Sequence, residues 1–333
     1  MNQTAESVTC RVCTGSTVQE WLHPREMMFG LREEFNYFRC SECGCLQLAE
    51  IPNNMDTYYS QGYYSCRDLS DLSPSFGDRL KRRWLYPNMT KSKLGWPGIW
   101  GKFLCSVGSG PPLQHWLAYL EGPIPLDLAI LDVGCGSGED LLGLKNCGFT
   151  NLRGVDPYIK APISYEGGLE IMKCGLEEVT GSFDLIMFHH VFEHLENPQE
   201  ILLAAKNLLT KKGRIMIRIP LSDSAACETY KECWSQLDAP RHITLQTQAS
   251  MDRLAKQTGL QILRVAHDSS AFQFWGSEQY RLDIPLSDPR SYSRDPESGV
   301  FSKAEIQSFN EESKRLNEQG RGDQAAFVLA SVS

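Results

Sequence analysis

"LDVGCGSGEDLL", residues 131–142, decides how this chain folds. An apolar run ends in Asp132, glycines follow at 134, 136 and 138, and Glu139 and Asp140 open an amphipathic stretch that Gly148 closes. Strand, glycine turn and helix in that order are the opening unit of a parallel α/β sheet, and the glycines let a ligand approach the backbone closely. The spacing is G-x-G-x-G. Glu139 stands where the dinucleotide fingerprint G-x-G-x-x-G wants its third small residue.

The flanking charges separate two classes of ligand. Glu139 and Asp140 occupy the first helical turn and already use its positive end, and Asp132 precedes the loop. A pyrophosphate would sit among carboxylates, whereas a ligand carrying an ammonium and a sulfonium would be attracted. Asp156 ends the next strand, "NLRGVDP", 22 residues after Gly134, where an acid accepts hydrogen bonds from two ribose hydroxyls.

Short apolar runs continue to alternate with amphipathic ones. "LEIMKCG" (169–175), "FDLIMFHH" (183–190), "RIMIRIP" (214–220), "LQILRVAHD" (260–268) and "QAAFVLASV" (324–332) read as the remaining strands, the last at a sheet edge. "PQEILLAAKNLLTKKG" (198–213) reads as a helix, with proline at its start and lysines and glycine at its end. Residues 268–322 read as a polar insertion with one helical stretch, 302–320. The expectation is an α/β fold, a doubly wound and mostly parallel sheet of seven strands, preceded by a small N-terminal zinc ribbon.

The loop with its second-strand acid, and the fourth strand with "FHHVFEHLENP" (188–198) leading into the fifth, resemble the class I S-adenosylmethionine-dependent methyltransferases over roughly residues 123–331. The resemblance implies that Asp132, Gly134, Gly136 and Gly138 surround the methionine part of S-adenosylmethionine and that Asp156 holds its ribose. It also implies that Gly175 and Leu176 lie near adenine, with His189 at the end of the fourth strand beside the cofactor. In this superfamily the Glu-His pair, here Glu193 and His194, often only shapes the cofactor pocket. His194 and His242 are candidate bases for the acceptor's proton, with Glu193 beside them and Arg241 placed to hold a phosphate or carboxylate. Glu278 and Tyr280 lie in the insertion, with no role legible. His190, Glu193 and His194 also spell H-x-x-E-H, so a second metal there is an open alternative.

Cys10 and Cys13, then Cys40 and Cys43 after 26 residues, form two C-x2-C knuckles suited to a structural, tetrahedral Zn2+, with Cys45 a spare thiol. Such knuckles ahead of a methyltransferase-like segment resemble bacterial enzymes acting on sugars or other small metabolites. The division expected is a ribbon at 1–50, an irregular aromatic connector at 51–122, and the cofactor-binding domain at 123–333.

A formal charge of −8, and four basic against seven acidic residues in the ribbon, count against nucleic acid as a partner. Seven basic and no acidic residues between Arg79 and Lys102 point the other way, toward an RNA base methyltransferase as the alternative. A non-catalytic cofactor-binding scaffold is the rival outside enzymes. No apolar stretch approaches a membrane span, so a cytoplasmic protein with no membrane partner is expected. The favoured function is methylation of an oxygen or nitrogen on a small metabolite. The oligomeric state is not legible.

Overall fold

The computed structural model describes residues 8–59, 81, 85–96, 103–105 and 112–332. Much of the basic segment from Arg79 to Lys102, with its Arg82 and Arg83, and much of the expected connector lie outside the described residues. The strands in chain order are β1 Val18–Leu22, β2 Tyr37–Cys40, β3 Leu46–Leu48, β4 Ile130–Val133, β5 Leu152–Val155, β6 Ile163–Tyr165 and β7 Leu169–Met172. They continue with β8 Phe183–His189, β9 Leu209–Pro220, β10 Thr244–Leu245, β11 Leu260–His267 and β12 Gln324–Ser331.

The larger sheet runs β11-β12-β9-β8-β4-β5-β7-β6. β4 pairs in parallel with β5 and β8, and β5 in parallel with β7, as expected of a doubly wound sheet. The sheet has eight strands rather than the expected seven. The extra one, β6, is a three-residue antiparallel edge on β7, between Pro162 and the glycine pair 167–168, too short to show a period. The terminal strand β12 also differs from expectation, since it lies between β11 and β9 rather than at the edge. Its continuous run "AAFVLA" is buried, and a continuous apolar run is the mark of a strand covered on both faces.

Two compact units emerge from the packing, and each has its own core. One comprises Gln61–His189, Leu203–Ile217 and Val328–Ser333; its core gathers Ile130, Leu185 and Met187 from the strands with Leu141, Leu144 and Trp116. The helix after the glycine loop, Glu139–Asn146, faces that core with Leu141 and Leu144 and stops at Gly148, whose φ of +100° no side-chain-bearing residue adopts comfortably.

The other unit comprises Met1–Ser60, His190–Leu202 and Arg218–Phe327, so it cuts across the boundaries expected near residues 50 and 122. The reason is the fourth strand of the small sheet, ordered β1-β2-β3-β10. β10 pairs antiparallel with β3, Thr244 opposite Gln47 and Leu245 opposite Leu46. Tyr37, Leu46 and Leu48 then share a core with Trp234, Leu237 and Leu245. A ribbon of fifty residues buries too little surface to close a core by itself, and here a distant segment supplies the missing face.

The expected insertion holds two helices, Phe272–Arg281 and Lys303–Glu318, where one was expected. The second begins with a capping box between Ser302 and Glu305. Among the described residues, no helix is long and apolar enough to cross a membrane.

Candidate functional site

The glycine loop is built as its sequence demands. Gly134, Gly136 and Gly138 have φ of 70°, 54° and 80°, the left-handed region that only glycine enters at no cost. A Cβ on Gly138 would stand 2.7 Å from Ile171 Cδ1, so side-chain volume is excluded there as well. Gly136 N donates to Asp156 Oδ2 at 2.9 Å, and Tyr158 N donates to Oδ1 at 2.8 Å. The second-strand acid therefore holds the loop. Each of its oxygens keeps a further lone pair for a hydroxyl donor.

Tyr165, on the unexpected strand β6, donates its hydroxyl to Ser137 O at 2.6 Å. Sequence reading missed this residue, because an aromatic in a three-residue edge strand carries no motif. Asp132 is buried, and burial, followed by the neighbouring carboxylates of Asp140 and Asp156, pushes its carboxyl well above the ordinary range. An electron-rich, desolvated pocket of this kind is relieved by a cationic ligand. Gly175 and Leu176 open the short helix Leu176–Glu178 after β7, with Leu176 buried. His189 ends β8, and its ring lies 5.0 Å from that of Trp116.

The turn after β8 brings the candidate bases together. Phe192–His194 is a single short helical turn, and Glu193 on it is 1% exposed. The rings of His194 and His242 meet edge to face, 4.8 Å apart at 73°, and His242 Nε2 lies 3.9 Å from Glu193 Oε1. His242 is anchored through its backbone, its carbonyl accepting the Tyr37 hydroxyl at 2.7 Å. Burial, then the neighbouring His242, depress His194 to about 4, so at neutral pH it carries no charge.

His190 also approaches Glu193, its Nδ1 3.5 Å from Oε1, but does not gather with His194 and His242. Its φ is +53°, and Arg218 Nη1 donates to its Nε2 at 3.1 Å. The H-x-x-E-H spelling thus picks the wrong first histidine. The residue that joins Glu193 and His194 is His242.

Arg241 corrects the expectation that it holds an anionic group of the acceptor. Its side chain is fully buried, with Nε and Nη2 donating to Asp238 at 2.9 and 2.5 Å, Nη2 also to Glu26 at 2.9 Å, and Nη1 to Tyr58 O at 3.1 Å. That guanidinium is spent on structure. Glu278 accepts from Tyr230 and Arg281, and Tyr280 is buried.

Cys10, Cys13, Cys40 and Cys43 are buried with their sulfurs all within 4.8 Å of one another. The Cys10–Cys43 and Cys13–Cys40 sulfur separations are both 3.5 Å, near the ~3.8 Å edge of a tetrahedron with Zn–S bonds of ~2.3 Å. Gln47 Nε2 donates to Cys10 Sγ at 2.9 Å, the outer hydrogen bond common around metal-bound thiolates. The spare thiol of Cys45 is buried outside this set.

Residues 110–265 match a family model described as a methyltransferase domain. Over that stretch the chain is similar to methyltransferase domains. It is 35% identical over 89 residues to the mitochondrial ubiquinone biosynthesis O-methyltransferase of Saccharomyces cerevisiae, covering 23% of this chain and 28% of that protein. Over 120 residues it is 28% identical to the tRNA U34 carboxymethyltransferase of Actinobacillus succinogenes, covering 32% of this chain and 37% of that one. The match thus spans roughly a third of the length of either relative. Among solved structures, the cyclopropane synthase MmaA2 of Mycobacterium tuberculosis aligns over 61% of this chain and 78% of its own, at 16% identity and a TM-score of 0.39. A relative named for a tRNA nucleotide removes the ground for excluding nucleic acid that the net charge had offered.

Proposed function

We propose that the protein is an S-adenosylmethionine-dependent methyltransferase acting on an oxygen or nitrogen of a small metabolite, such as a sugar or glycan precursor. The observation that carries this reading is the desolvated acid Asp132 beside a loop of three left-handed glycines, which favours a cationic ligand over a phosphate. When bound, S-adenosylmethionine supplies an electrophilic methyl group on a sulfonium. Asp132 and the loop Gly134, Gly136 and Gly138 take its methionine portion, Asp156 its ribose hydroxyls, and Gly175 and Leu176 its adenine, with His189 beside it. Glu193, His194 and His242 handle the acceptor and its proton. Cys10, Cys13, Cys40 and Cys43 hold one structural Zn2+, a closed set of four thiolates with no position left for chemistry.

A second reading, methylation of RNA, is favoured by the similarity to tRNA U34 carboxymethyltransferases and by the basic residues between Arg79 and Lys102. One experiment separates the readings. The purified chain is given S-adenosylmethionine with a labelled methyl, together with either a small-metabolite extract or total tRNA. Label in the metabolite fraction supports the first reading and label in tRNA the second. Calorimetry showing no binding of S-adenosylmethionine or its demethylated product would overturn both, and binding without label in either fraction would leave the cofactor-binding scaffold.

A further inference from the structure

We propose that Glu193, His194 and His242 form a binding site for a divalent first-row transition-metal ion, distinct from the four cysteines. One ring nitrogen of each histidine and one carboxylate oxygen lie within 4.8 Å of one another.

The hydrogen bonds assign the protons. His194 Nδ1 lies 2.8 Å from the Arg241 carbonyl and His242 Nδ1 lies 2.7 Å from the Gln236 carbonyl. A carbonyl only accepts, so both Nδ1 atoms carry the proton and each Nε2 keeps its lone pair. A metal-binding imidazole characteristically has its other N–H donated in this way, which fixes tautomer and ring orientation.

The third member supplies the independent observation. Both carboxylate oxygens of Glu193 are buried, and neither accepts a hydrogen bond among the described residues. A buried carboxylate needs close donors or a cation, and here the N–H of His190 Nδ1 faces Oε1 only at a long 3.5 Å, while His242 Nε2, at 3.9 Å, offers a lone pair rather than a proton. A cation shared by the three groups removes that conflict.

His190 is excluded from the set by the same reasoning. A guanidinium only donates, so His190 Nε2 accepts from Arg218 Nη1 and the proton is on Nδ1, 3.5 Å from Glu193 Oε1. It positions the carboxylate from outside.

Two imidazoles and one carboxylate suit Zn2+ or Fe2+ rather than Mg2+, which prefers oxygen ligands and water. Three protein ligands also leave coordination positions open to a further ligand, unlike the closed set of thiolates. Resting on the methyl-transfer reading, an acceptor hydroxyl bound at such a position would lose its proton more readily.

The test uses the full chain and Zn2+, with no methyl donor, so a failure of the methyl-transfer reading leaves its outcome untouched. Metal analysis after equilibration with excess Zn2+ and gel filtration should find two ions per chain in the wild type. Glu193→Gln and His242→Gln should each retain one, while His190→Gln retains both. Should a variant fail to fold, calorimetry of the wild type with its cysteines already loaded gives the answer alone. A second binding event supports the site. One ion per chain at saturation, or two ions in folded His242→Gln, would overturn it. Substitution by Co2+ adds a signature: the second ion should bring visible bands without further thiolate charge transfer.

Discussion

Arg241 and Glu26 form a fully buried ion pair, Nη2 to Oε1 at 2.9 Å, between residues 215 positions apart in the chain. The Glu26 carboxylate also caps a turn, accepting from the backbone N–H groups of Met28, Phe29 and Leu31. Removing the acid takes away one of the two carboxylates that hold the buried guanidinium and leaves three amides without their acceptor. Glu26→Ala should therefore destabilise the protein by about 3–5 kcal/mol, the cost of breaking one half of a buried pair. Urea unfolding would check it, and a loss under about 1 kcal/mol would show that water replaces the carboxylate.

The left-handed glycines of the loop are testable one at a time. Gly138→Ala forces a Cβ into a φ of +80° and against Ile171 Cδ1, so the loop must shift away from its cofactor-ready shape. Calorimetry should show S-adenosylmethionine affinity falling by about tenfold or more, a loss of about 1.4 kcal/mol or greater. Gly168→Ala is the control: its φ is +83° but a Cβ there meets nothing within 4 Å, so strain without collision should leave affinity nearly unchanged.

The loop, the order of the main strands and the cysteine knuckles were legible because each rests on local sequence: a glycine triplet, apolar runs, a two-residue gap. What was not legible depended on distant partners. The role of Arg241 could not be read, because Glu26 lies far away and nothing in "DAPRHITL" marks the arginine as buried. For the same reason H-x-x-E-H suggested His190, while the histidine beside Glu193 and His194 comes from 48 positions past His194. β10, two residues long, carries no periodic signal, yet it ties the N-terminal sheet to the rest of its unit.

Asp323 predicts a pH dependence. It is buried, accepts from Trp234 Nε1 at 3.0 Å, and burial raises its carboxyl to about 6. The folded state then holds this proton at pH values where the unfolded chain has lost it. Stability from this group is complete below about pH 4 and declines as the pH rises through about 6. Asp323→Asn keeps an acceptor for the indole and removes the titration. Its urea midpoint should gain on the wild type between pH 4 and pH 7, and parallel curves for the two proteins would disprove the assignment.

The zinc prediction follows from the placement of the second knuckle. Cys43 O accepts the hydroxyl of Thr247 at 3.0 Å, and Thr247 caps the helix Gln248–Gln257. Cys40 ends β2, whose neighbour β3 pairs with β10. Loss of the ion should therefore not be confined to the first fifty residues. Cys43→Ser should release one zinc per chain, detected with a chromophoric chelator. It should also raise hydrogen exchange at Leu245 and along Gln248–Gln257, because the knuckle that holds the helix cap loosens. Exchange that rose only within residues 8–48 would mean that β10 and the cap are held without the metal.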